Sequence, residues 1–111
     1  MTERTEALID SLRTARQDVA ERNAQLAESD IARRTLKAEI VRELTGKGVA
    51  ATPAEKVAAQ DERLLKYDRQ IIGDTLTRDE RLGDAEALRF RVQLSLLEME
   101  AAIRDPVRAA A

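Results

Sequence analysis

From Thr2 to Thr45 the chain contains neither proline nor glycine, so nothing in its first forty-odd positions forces the backbone out of a helix. Large apolar residues recur there at steps near three and four: Leu8, Leu12, Val19, Leu26, Leu36, Ile40 and Leu44. That is the period of one helix face. With Ala15 included, the register runs 8, 12, 15, 19 and continues through Arg22, Leu26, Ser29, Arg33, Leu36 and Ile40. The seam is heptad-like, apolar at both ends and polar in the middle. Acid-to-base pairs four residues apart, Asp18 with Arg22 and Asp30 with Arg34, lie in the favourable orientation and each add about 0.3 kcal/mol to an exposed helix. These signals predict a long helix over residues 3–45. At about 1.5 Å per residue it would be about 60 Å long. A compact chain of this size has a radius of gyration of only about 13 Å, so an elongated molecule is expected.

Composition supports that reading. Charged residues make up 36% of the 111 positions, yet 19 basic and 21 acidic side chains leave a net charge of −2, the balance typical of long helices rather than of a charged tail. Only about a quarter of the residues are Leu, Ile, Val or Phe, too few for a thick globular interior.

Past the first helix, Gly46 reads as a left-handed C′ residue opening a loop over 46–52. Thr52-Pro53-Ala54-Glu55 then carries a capping-box pattern, with Thr52 as N-cap and Pro53 at the first helical position. A helix over 53–72 is expected, with Val57, Leu64, Leu65, Tyr67, Ile71 and Ile72 at helical spacing. Gly73-Asp74 reads as a stop or kink. Thr77-Arg78-Asp79-Glu80 repeats the capping pattern and predicts a last helix over 78–104, with Pro106 ending it and a frayed tail over 105–111. Within this helix Leu88, Phe90, Val92, Leu94 and Leu96 alternate with Arg89, Arg91, Gln93 and Ser95, the period of a half-buried strand. No second strand candidate exists to pair with it, so a helix is the better reading, with Leu82, Ala85, Val92, Leu96, Met99 and Ile103 on one stripe and Phe90, Leu94 and Leu97 beside it.

The expected fold is therefore all-α: a single all-helical domain, an elongated helical hairpin or coiled-coil-like bundle of one long and two shorter helices. Val57, Leu64, Ile71 and part of the 82–103 stripe would pack against Leu26, Leu36, Ile40 and Leu44, and Tyr67 and Phe90 read as core aromatics. Leu8, Leu12 and Val19, together with Phe90, Leu94 and Leu97, have no evident partner in such a pairing. They are the candidate oligomer or partner interface.

Several chemistries are excluded by what is missing. The chain has no His and no Cys, so zinc sites, Ser-His or Cys-His nucleophiles and disulfides are out of reach. Gly46-Lys47-Gly48 lacks the rest of a phosphate-binding loop, and no pair of carboxylates sits in an apolar context that would shift a pKa usefully. No enzyme activity and no cofactor or metal are expected. The opening Met1-Thr2-Glu3-Arg4 has no basic segment followed by an apolar one, so no secretory signal is expected, and the cytoplasm is the default location. No apolar run is long enough to span a bilayer, and a membrane partner is not expected.

Four basic residues deserve separate weight. Arg22 and Arg33 interrupt the seam and could set the register of a helical pairing, while Arg33, Arg34 and Lys37, with Arg42 nearby, could meet phosphates. Interleaved Asp30, Glu39 and Glu43 argue for a solvated face instead. The expected function is a non-enzymatic interaction or assembly protein, structural, adaptor or chaperone-like, that works through coiled-coil surfaces as a homo-oligomer or with another protein. The alternative is a nucleic-acid-associated regulatory or packaging protein whose basic patch is multiplied by oligomerisation.

Overall fold

A computed structural model describes residues 2–105. It is all-α, with three helices and no strand among those residues: α1 (Glu3–Gly46), α2 (Ala51–Ala58) and α3 (Glu62–Arg104). The 88–97 segment is helical throughout, as its lack of a pairing strand required.

Each boundary has a local cause. Thr2 caps α1: its hydroxyl oxygen accepts the Thr5 backbone N–H at 3.2 Å, and Glu3 and Glu6 place negative charge in the first turn, where the helix dipole favours it. At the other end, the Val49 N–H reaches back to the Leu44 carbonyl and the Gly48 N–H to that of Thr45. This is a Schellman closure with C′ at Gly48, whose φ of 91 is the only positive one among the described residues. Gly46, expected in that role, is instead the last helical residue. The two glycines are two positions apart and either could have filled C′, so the motif alone does not choose between them.

The second start also moves. α2 begins at Ala51, after an N-cap at Ala50 that makes no side-chain bond. The Thr52-Pro53-Ala54-Glu55 box is not formed. Pro53 falls at the third helical position, where a missing N–H is as harmless as at the first, because all first-turn donors lack intrahelical partners. α2 stops at Ala58 through two tight turns, with the Gln60 N–H on the Val57 carbonyl and the Asp61 N–H on the Ala58 carbonyl. Asp61 then caps α3, its carboxylate accepting the Arg63 backbone N–H at 2.9 Å.

From there α3 runs unbroken to Arg104, so neither the break at Gly73-Asp74 nor the start near Arg78 occurs. Thr77 does not cap: its hydroxyl donates to the Gly73 carbonyl one turn back, as that of Thr75 does to Ile71. That bond satisfies a threonine inside a helix. Each interior glycine costs about 1 kcal/mol relative to alanine, which the apolar and polar positions that continue on both sides of Gly73 and Gly83 outweigh. The expected tail beyond Asp105 lies outside the described residues.

The chain divides into two compact units. One joins residues up to Ala20 with those from Asp79 onward, and the other is Glu21–Arg78. In the first, Thr5 meets Ser95, Leu8 and Leu12 pack with Val92, and Asp18 lies 4.0 Å from Arg81. Rising numbers on α1 match falling numbers on α3, so the two helices pair antiparallel, and the part of the 82–103 stripe expected against Leu26, Leu36, Ile40 and Leu44 packs on the start of α1 instead because α3 continues unbroken past Gly73. The unit's buried side chains are Thr5, Leu8, Leu12, Val19, Ala85 and Val92, with Leu88, Ser95 and Met99 half-buried on α3. The second unit pairs antiparallel too, through Asn23 with Arg78, Arg33 with Asp68, and Glu43 with Arg63. Its buried residues are Ile40, Ala54, Ala58 and Leu64. Ala54 and Ala58, one helical turn apart, let α2 approach closely because alanine has no bulk beyond Cβ. Val57, expected in the core, is about half exposed at 53%.

Candidate interaction surface

In the first unit the sequence-predicted interface residues separate into two groups. Leu8, Leu12 and Val19 are each at least nine-tenths buried within the chain itself, Leu8 and Leu12 in one cluster with Val92, Ile9 and Leu88. They form the inner seam and are not available to a partner. Phe90, Leu94 and Leu97 behave oppositely, with 61%, 45% and 60% of their surface exposed. Phe90 is therefore a surface aromatic and not part of the core, whereas Tyr67 is half-buried.

Helix geometry explains this split. On α3 the inward residues are Ala85, Leu88, Val92, Ser95 and Met99, a run of alternating steps of three and four. A second run with alternating steps of four and three, Gly83, Ala87, Phe90, Leu94, Leu97 and Ala101, is exposed at every position. Phe90, Leu94 and Leu97 each lie two residues from Leu88, Val92 and Ser95, and two residues turn a helix by about 200°. The two stripes occupy opposite sides of α3. Their interleaving also accounts for the strand-like alternation from Leu88 to Leu94: two helical stripes offset by two residues produce a period of two, whereas the exposed Leu96 belongs to neither stripe.

The inner seam contains one polar knot. The Thr5 hydroxyl is fully buried and lies 2.8 Å from the Thr2 hydroxyl, 2.6 Å from that of Ser95 and 3.4 Å from the Met99 sulfur. A hydroxyl has one hydrogen to donate and the Met99 thioether has none, so Thr5 donates to the sulfur and accepts from the Thr2 and Ser95 hydroxyls. Its hydrogen-bonding capacity is met without water. Sequence reasoning missed this pair, although Thr5 stands one step of three before Leu8 in the register already identified.

The basic residues of the second unit divide between the seam and one groove. Arg33 turns onto the half-buried seam and pairs with Asp68, and the hydrogen bond to Asp68 holds its guanidinium pKa above the usual arginine value. Arg34 pairs with Asp30 at 2.9 Å on the same helix. Arg34, Lys37 and Arg42 line one open groove of about 560 Å³ that also contains Glu55. Arg22, half-buried at its seam position, is not in that groove. Asp68, already inside the helix expected over 53–72, was legible as a partner for Arg33 only once the register of that helix against α1 was known. At the start of α3, Asp61 is held below the usual carboxylate range, chiefly by the Arg63 side chain and then by the backbone N–H it caps, while Arg63 is raised by Asp61 and Glu43.

Among the described residues no cluster of three or more Asp or Glu side chains is arranged to hold a metal ion, and no helix is long and apolar enough to cross a membrane. Comparison with protein families, with characterised proteins and with solved structures yields no match for this chain.

Proposed function

We propose that the chain is a non-enzymatic helical interaction module that binds its partner through the outer face of α3. The observation carrying this reading is the exposure of Phe90, Leu94 and Leu97 on one helical stripe, directly opposite a seam that the chain fills by itself. A helix that is apolar on two opposite sides serves two contacts. One holds the unit together, and the other has no occupant among the described residues.

A structural, adaptor or chaperone-like role follows from such a face, since an amphipathic helix binds by laying its apolar residues against a second helix or groove. The test compares wild type with a Phe90→Ser/Leu94→Ser/Leu97→Ser variant, each tagged and used to retain proteins from an extract of the producing cells. The variant is expected to keep its helical circular dichroism and lose what wild type retains, including further copies of the chain. Equal retention by both proteins would overturn the reading.

The groove lined by Arg34, Lys37 and Arg42 supports a second reading, a nucleic-acid contact multiplied by association. Arg33 makes no part of it, being paired with Asp68. Binding to a random DNA duplex that weakens steeply with salt would favour this alternative, and no binding at low salt would reject it.

A further inference from the structure

Taking the outer face of α3 as an interaction surface, we infer that its occupant is a second copy of the same face, laid antiparallel across a twofold axis between Leu94 and Leu97. Three observations within residues 86–105 point to this arrangement.

The first is the order of sizes along the stripe. Ala87, Phe90, Leu94, Leu97 and Ala101 alternate by steps of three and four, the spacing that two α-helices need to interlock side chains along their length. Antiparallel pairing about the stated axis sets Leu94 beside Leu97 of the second copy and Phe90 beside its Ala101. The large ring then meets the smallest side chain on the stripe, twice by symmetry. Parallel pairing would instead stack Phe90 on Phe90 and leave Ala101 facing Ala101.

Charge supplies the second. Most charged side chains in this stretch are occupied locally: Glu86 pairs with Arg89 at 3.1 Å and Glu100 pairs with Arg104, and Asp105 also has a partner. Arg91 and Glu98 make no ion pair among the described residues, and both are exposed. They are seven residues apart on the same edge of the stripe. In the antiparallel arrangement Arg91 of each copy comes beside Glu98 of the other, so the two unpaired charges neutralise each other on both sides of the axis. A parallel arrangement would bring Arg91 toward Glu86, which Arg89 already holds, and Glu98 toward the uncharged Gln93.

Symmetry is the third. A twofold interface uses one patch twice, so the patch must complement itself, and twofold dimers are the commonest soluble assemblies. This stripe meets that requirement in both shape and charge.

The experiment uses the purified full-length chain. Sedimentation equilibrium up to roughly 0.5 mM is expected to show a monomer–dimer equilibrium. Arg91→Glu and Glu98→Arg should each weaken it by roughly tenfold, because each creates two like-charge contacts, and the double reversal should restore it. Because the chain has no cysteine, orientation can be read by thiol oxidation. Phe90→Cys mixed with Ala101→Cys should give a mixed disulfide, whereas Phe90→Cys alone should not cross-link. All these positions are exposed, so helix content should hold throughout. A wild-type monomer over the whole range overturns the inference, and binding of that monomer to anionic lipid vesicles would assign the face to a membrane surface instead. A dimer indifferent to both charge reversals, or one in which Phe90→Cys cross-links to itself, overturns the antiparallel arrangement. In each of these cases the retention experiment decides separately whether the face binds anything.

Discussion

The two units use the same helical pairing and fill it differently. In the unit formed by the start of α1 and the second half of α3, the seam is made of Leu8, Leu12, Val19, Leu88 and Val92 around one hydroxyl knot. In Glu21–Arg78 the corresponding α1 positions include Arg22, Ser29 and Arg33, and an ion pair with Asp68 lies where the first unit has leucines. Burying apolar surface lowers the free energy in proportion to area, whereas a half-buried ion pair loses much of its attraction to desolvation. The second unit therefore depends on fewer large anchors, Ile40 and Leu64 foremost. It adds α2, whose Ala54 and Ala58 are fully buried.

Truncating the anchors tests this contrast most severely. Leu64→Ala removes the one large apolar side chain that is completely buried among the described residues and is expected to cost about 3–5 kcal/mol, with Leu12→Ala, slightly exposed, costing about 2–4 kcal/mol. Urea unfolding followed by circular dichroism measures both. If Leu64→Ala proved the milder of the two, the second unit would not rest on that anchor.

A smaller effect separates the polar elements of the two seams. Thr5→Val leaves the Ser95 hydroxyl without its buried partner and should cost about 1–3 kcal/mol, while Thr5→Val combined with Ser95→Ala should recover most of the loss. In the second unit, Asp68→Leu alone should cost about 1 kcal/mol, and Arg33→Leu/Asp68→Leu should equal or exceed wild type in stability. A double variant markedly less stable than wild type would show that the Arg33–Asp68 pair stabilises more than leucines could.

The smallest expected effect concerns acid. Asp61 is held below its ordinary pKa by Arg63 and by the backbone it caps. Its contribution is present above the unfolded carboxylate pKa of about 4 and is lost as pH falls through the lower folded value. Asp61→Asn should therefore reduce the acid-dependent part of the melting temperature below about pH 4 while changing little at neutral pH, because asparagine still caps. An unchanged acid profile would show that the cap is not coupled to folding.

Some of this was legible in the residues alone. The register read from Leu8 through Ile40 is the seam the structure buries or half-buries at every position, because heptad spacing and helix geometry are one fact seen twice. The end of α3 at Arg104 was readable from Pro106. Its start was not, because the seven-residue spacing of Val57 and Leu64 spans the turn at 59–61 as smoothly as it would a continuous helix. Thr52 and Thr77 resembled caps by composition, yet whether a threonine caps or bonds back to its own helix depends on neighbours that pairing supplies. The same limit applies to Leu8, Leu12 and Val19 against Phe90, Leu94 and Leu97. Both groups are apolar stripes in sequence, and only the position of the paired helix determines which is inside.

On the proposed function, Leu8, Leu12 and Val92 hold the fold while Phe90, Leu94 and Leu97 serve association. Absolute mass by light scattering over a concentration series, with circular dichroism on the same peak, tests it most directly. Wild type should rise from 12.4 kDa toward twice that mass, and the Phe90→Ser/Leu94→Ser/Leu97→Ser variant should stay at the monomer mass with the same helix content. A variant that loses its helices, or one whose mass follows wild type at every concentration, would contradict this division of roles.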